Sequence, residues 1–144
     1  MTPQFVRSQR VHFCHCDPAG IVFYPRYFEL ITAFQDYWFT EGLGIDYAAL
    51  HLERGITTPT VHLDCTFTRP SFLGEDILFT WTVKELGRSS VTCAVTLTHA
   101  DELRLRAEIV LVFVDRETRR SIPVPDDVRR AIERYLPTPD QDKD

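Results

Sequence analysis

Apolar and polar residues alternate with period two through most of the second half of the chain. Val61, Leu63, Cys65 and Phe67 alternate with His62, Asp64, Thr66 and Thr68. Ile77, Phe79, Trp81 and Val83 do so with Leu78, Thr80, Thr82 and Lys84, and Val91, Cys93, Val95 and Leu97 with Thr92, Ala94, Thr96 and Thr98. Leu103, Leu105, Ala107, Ile109, Leu111 and Phe113 make a last inward row, while Val110, Val112 and Val114 leave that strand's second half apolar on both faces. The pattern predicts four half-buried strands after Gly55. The breaks at Arg69-Pro70-Ser71, Gly87-Arg88-Ser89 and Ala100-Asp101-Glu102 suit short antiparallel connections, so the region reads as a β meander. A further strand is expected over about Phe5 to Phe13.

Helical spacing governs the segment between. A helix is predicted from about Pro25 to Glu41, with Gly42 and Gly44 as stop signals. Its polar residues Glu29, Thr32, Asp36 and Thr40 share one stripe, and Tyr27, Phe28, Leu30, Ile31, Phe34, Tyr37 and Trp38 cover most of the rest. A helix so apolar needs to be wrapped by its neighbours. A short helix over about Tyr47 to Glu53 precedes Gly55, and a final one over about Asp126 to Leu136 puts Val128, Ile132 and Tyr135 on one side. Asp126 and Asp127 in its first turn suit the helix dipole.

These elements imply an α+β architecture: a five-stranded antiparallel sheet curled around a long central helix, plus a C-terminal helix. One domain is expected over residues 1–136. The polar, proline-bearing tail 137–144 is expected to be disordered. The open sheet has edge strands that a partner usually covers, and the two-sided apolar strand favours self-association, so a homodimer at least is expected.

Composition narrows the function. A formal charge of −5 argues against general nucleic-acid binding. The longest apolar run, Ile109 to Val114, is far too short to span a bilayer, and the first ten residues hold no apolar signal core. A cytoplasmic protein is the default expectation. Cys14, Cys16, Cys65 and Cys93 make no disulfide scaffold, and Cys65 and Cys93 read as small buried apolar groups. His12, Cys14, His15 and Cys16 lack metal-site spacing: in an extended strand residue 15 points away from the other three. No metal site is expected.

The candidate chemistry lies in His15-Cys16-Asp17-Pro18-Ala19-Gly20-Ile21-Val22-Phe23-Tyr24-Pro25. Pro18 presets one backbone angle, Gly20 permits a positive one, and Pro25 suits a first helical turn. A carboxylate, Asp17, is thereby set beside a helix start whose unpaired amides attract developing negative charge. Asp17 could attack a carbonyl or activate water, and the amides from Gly20 to Tyr24 could hold an oxyanion. The functional expectation for Tyr24 concerns its backbone amide; its side chain reads as a core aromatic. His15 and His62 read as ordinary polar residues, and Arg119 and Arg120 as a solvated pair.

The stretch from Asp17 to Tyr27, opening a long helix, resembles the 4-hydroxybenzoyl-CoA thioesterase family of hotdog-fold enzymes. The likeness runs over about residues 5–136 and includes Gly55-Ile56-Thr57-Thr58-Pro59 and the turn Leu86-Gly87-Arg88-Ser89-Ser90-Val91. It implies a hotdog fold, a dimer that often pairs into a homotetramer, and hydrolysis of an acyl-CoA substrate without metal or cofactor. The family's catalytic aspartate falls on Asp17 and its carbonyl-polarising amide on Tyr24. Thr58 and Pro59 would border the acyl pocket, which could draw on the partner subunit. Arg88, with its neighbour Ser89, would lie near the CoA phosphates, since arginine suits bidentate phosphate contact. Two positions depart from the family pattern: His15 stands where many relatives carry an acid, and the turn at 87–90 holds a single cation. Other readings are an enoyl-thioester hydratase, for which 17–22 lacks a His, and an acyl-CoA-binding protein without turnover. Phe23, Tyr27, Phe28 and Trp38 favour an aromatic acyl group such as hydroxybenzoyl or phenylacetyl.

Overall fold

A computed structural model describes residues 2–138; most of the tail expected to be disordered, 139–144, lies outside them. The ordered strands are β1 (Phe5–Arg10), β2 (Ile56–Thr57), β3 (Thr60–Phe67), β4 (Asp76–Leu86), β5 (Ser90–His99), β6 (Glu102–Val112) and β7 (Val114–Asp115). The helices are α1 (Tyr24–Tyr37), α2 (Tyr47–Leu52) and α3 (Asp126–Glu133). Five strands pair antiparallel in the order β1-β4-β5-β6-β3, and β2 with β7 forms a separate two-stranded ladder.

The inner rows of β4, β5 and β6 are buried as the alternation predicts and curl around one face of α1. Phe34 sits among Phe5, Phe79 and Trp81 at 5.3–5.9 Å between ring centroids, and Trp38 lies 5.1 Å from Trp81. The buried helix positions Tyr27, Ile31, Phe34, Gln35 and Trp38 follow helical spacing. Tyr37 is not among them. The Arg7 guanidinium stacks 3.6 Å from its ring centroid and pairs with Glu41, so a surface cation covers that ring.

Four expectations need correction. Only β4, β5 and β6 form a meander. β3 pairs with β6 at the far edge of the sheet, so Arg69-Pro70-Ser71 belongs to a crossover and not to a hairpin. The two other breaks are hairpins, with Ala100 and Asp101 both at positive φ, as a two-residue turn that follows strand twist requires. Second, the first strand stops at Arg10, because the chain folds into a single 3-10 turn over Phe13–His15. Third, α1 gives way to a wider π-type turn over Trp38–Leu43. Gly42 lies inside that turn, while Gly44, at φ 73°, ends it. Fourth, the apolar row of β3 is uncovered in the single chain: Val61 is 60%, Leu63 42% and Phe67 46% exposed, and Cys65 is half-buried. No helix among the described residues is long and apolar enough to cross a membrane.

Candidate active site

The chain leaves β1 and reverses through two consecutive turns. In the 3-10 turn the His12 N–H donates to His15 Nδ1 at 2.9 Å, and the two rings lie 5.5 Å apart. Burial, and then the His12 and Arg26 charges, lower the His15 pKa, which keeps Nδ1 free to accept. His15 is thus engaged in shaping the backbone. In the next turn the Gly20 N–H donates to the Asp17 carbonyl at 3.0 Å, with Gly20 at φ 79°. The Ala19 N–H donates to Asp17 Oδ1 at 2.8 Å, an Asx arrangement that fixes the carboxylate's orientation. Among the described residues Oδ2 takes no hydrogen-bond partner.

The start of α1 leaves the Tyr24 backbone donor over. Phe23 is the N-cap, and its N–H donates to the His15 carbonyl at 2.9 Å. Pro25 has no N–H, and the Arg26 N–H donates to the Phe23 carbonyl at 2.8 Å. The Tyr24 N–H lacks an acceptor among the described residues. Elsewhere in the loop the Gly20 and Val22 amides are consumed by the Asp17 and Ser71 carbonyls. The oxyanion donors expected over Gly20 to Tyr24 therefore reduce to Tyr24 and Ile21. The Tyr24 side chain is no core aromatic: it is 60% exposed and meets Phe67 edge-on at 6.3 Å.

Beside this helix start lies an open groove of about 300 Å³, lined by Val22, Tyr24, Tyr27, Phe67, Thr68, Arg69 and Pro70. Phe67 forms its aromatic wall, 5.7 Å from the Tyr27 ring and 6.2 Å from that of Phe28. Asp17 is not among the lining residues in the single chain.

The remaining candidates lie elsewhere within the chain. Thr58 is buried in a polar chain in which Gln35 Nε2 donates to the Tyr47 hydroxyl at 2.9 Å and that hydroxyl meets Thr58 Oγ1. Burial raises the Tyr47 pKa, so the phenol stays protonated. Pro59 is exposed, and its carbonyl accepts the Val112 N–H. Arg88 is exposed, while its carbonyl and that of Gly87 accept Arg129 Nη2 from α3, at 3.1 and 2.7 Å. The Ser89 carbonyl accepts the Phe113 N–H. No three His, Cys, Asp or Glu side chains among the described residues converge as a metal site would require.

Sequence reasoning missed an ion pair between buried Arg104 and half-buried Glu75. Arg104, 5% exposed, donates through Nη1 and Nη2 to the two oxygens of Glu75 at 2.8 and 3.0 Å. The hydrogen bonds from Arg104 and its charge, with Phe72 and His99 adding to them, lower the Glu75 pKa to about 2. Arg104 stands between Leu103 and Leu105 of the inward row, so alternation alone puts it on the outward row. The register shift near Leu97 and Thr98, opposite Leu103, sets the neighbouring Arg104 inward instead.

A family model described as the Thioesterase-like superfamily matches residues 11–132. The 4-hydroxybenzoyl-CoA thioesterase of Pseudomonas sp. (strain CBS-3) is 31% identical over 136 residues, covering 88% of this chain and 96% of its own. A 1,4-dihydroxy-2-naphthoyl-CoA hydrolase of Acaryochloris marina is 25% identical over 132 residues, covering 89% and 95%. Among solved structures, an Asp-to-Asn mutant of 4-hydroxybenzoyl CoA thioesterase complexed with 4-hydroxybenzoyl CoA superposes with a TM-score of 0.82. It is 27% identical and covers 90% of this chain and 98% of its own.

Proposed function

The chain belongs to the thioesterase-like superfamily, and on that premise we propose that this hotdog-fold protein hydrolyses acyl-CoA thioesters carrying an aromatic acyl group. The observation that carries the reading is the unpaired Tyr24 amide at the head of α1, with the oriented Asp17 carboxylate on the turn before it. The aromatic groove supports an arene acyl group, and the two relatives above are named for hydroxybenzoyl and dihydroxynaphthoyl thioesters.

The chemistry needs few groups. Asp17 Oδ2 attacks the thioester carbonyl, the oxyanion takes the Tyr24 N–H, and collapse expels CoA thiolate and leaves a mixed anhydride that water opens. Alternatively, Asp17 takes a proton from the attacking water, and the same amide holds the same oxyanion. One such donor is worth about 3–4 kcal/mol in the transition state. Single turnover in ¹⁸O-water separates the routes, because the anhydride can route label into Asp17.

Thr58, Pro59, Arg88 and Ser89 are proposed to serve substrate from a second subunit or from the nucleotide end. The second subunit pairs along β3. The other edge strand, β1, carries Arg7 and Arg10, which discourage pairing, whereas β3 exposes Val61, Leu63 and Phe67. Phe67 also walls the groove, so that dimer would close the site.

The test is thiol release from a panel of aromatic and aliphatic acyl-CoAs, for wild type and Asp17→Asn. Turnover fastest with aromatic thioesters, falling by at least a hundredfold in the variant, is expected. An Asn variant equal to wild type, or loss of a crotonyl thioester's absorbance without thiol release, overturns the proposal.

A further inference from the structure

The turn carrying Asp17 is anchored from outside its own segment. The Val22 N–H donates to the Ser71 carbonyl at 2.9 Å, and the Leu73 N–H donates to the Gly20 carbonyl at 3.0 Å. Residues 11 and 74–75 add a second pair, Gly74 N–H to the Val11 carbonyl and Val11 N–H to the Glu75 carbonyl. The crossover between β3 and β4 is therefore the platform on which the turn rests.

The platform is itself shaped by the Arg104–Glu75 ion pair, with Glu102 Oε1 also 2.8 Å from Arg104 Nε. Arg104 Nη1 donates both to Glu75 Oε1 and to the Pro70 carbonyl, at 2.8 and 2.9 Å, and so ties one end of the crossover to the other. Glu75 Oε1 also accepts the Phe72 N–H at 2.6 Å, and His99 Nε2 lies 3.2 Å from Oε2. A buried ion pair is a poor source of net stability, because desolvation offsets its attraction and an apolar pair of similar volume often does as well. What it does supply is direction: a planar fork admits one arrangement of carboxylate and carbonyl, where apolar contact admits many.

We propose that Arg104 and Glu75 are positioning residues, which hold the Pro70–Glu75 crossover in the one shape that aims Asp17 and the Tyr24 amide at a common point. This rests on the thioesterase reading, and it adds to that reading a device remote from the reacting atoms.

The test uses Glu75→Gln and Arg104→Met in the full chain, with two readouts. The first is turnover: kcat falls by about 10- to 100-fold, as expected when reacting groups are misplaced, while KM changes less than about threefold. Asp17→Asn combined with Glu75→Gln is expected to be no slower than Asp17→Asn alone, since one residue acts through the other. The second readout is amide hydrogen exchange, independent of any substrate. Val22 and Leu73 are expected to exchange faster in both variants, while the β4–β5 ladder stays protected. Wild-type kcat in a folded Glu75→Gln, additive losses in the double variant, or unchanged exchange at Val22 and Leu73 would each overturn the proposal. If Arg104→Met does not fold, Glu75→Gln decides by the same criteria. A wild-type protein that cleaves no acyl-CoA refutes the thioesterase reading, and with it the catalytic role, whereas unchanged exchange refutes the bracing alone.

Discussion

Pro25 illustrates how one residue shapes the site through what it lacks. Having no N–H, it adds no second donor beside the Tyr24 amide, which is left without an acceptor among the described residues. Because that donor belongs to the main chain, Tyr24→Phe is expected to change kcat by less than about twofold, read in the same thiol-release assay. Glu75 makes the opposite case, a side chain whose charge state matters. Its carboxyl titrates at about 2, below the ordinary 4.5, so its contribution to stability is fully present above pH 4.5 and is lost as pH falls toward 2. Urea unfolding should show the advantage of wild type over Glu75→Gln at pH 7 shrinking steadily below pH 4.5. An advantage that persists unchanged at pH 2.5 would contradict the linkage.

Among the elements, the junction at the end of α1 is the most constrained. A Cβ on Gly42 would lie 2.9 Å from Trp38 Cδ1, 3.0 Å from the Tyr135 hydroxyl and 3.2 Å from the Phe5 ring. Gly42→Ala is therefore expected to cost about 1–3 kcal/mol, measured as a fall in the urea midpoint at unchanged slope. The sequence marked this glycine as a helix terminator, a role that Gly44 fills; the need at position 42 is space, which local pattern does not encode. The same limit recurs across the fold. Alternation located β4, β5 and β6 because a half-buried strand writes its two faces into successive residues. It could not show that β3 pairs across to β6, since pairing order depends on where a crossover runs. Asp17, Gly20 and Pro25 were legible because turn chemistry is local. The burial of Arg104 was not, because a register shift decides it, and neither was the consumption of the Gly20, Val22 and Phe23 amides by carbonyls elsewhere.

For the whole molecule, the unanswered surface is the β3 edge. Leu63→Lys puts a charge in the middle of its exposed apolar row; sedimentation velocity is expected to show a dimer or larger for wild type and a monomer for the variant. Thioesterase activity should fall with the assembly if the second subunit completes the groove. A Leu63→Lys protein that stays dimeric would move the interface elsewhere.

The anchoring of the Asp17 turn also says something about time. Its supports, Ser71 and Leu73, come from a crossover that is shaped only once Arg104 on β6 has found Glu75. Three stretches far apart along the chain must meet before that carboxylate has an address. During refolding, helical signal and sheet would return ahead of catalysis, and thiol release would be the last property a renaturing sample regains.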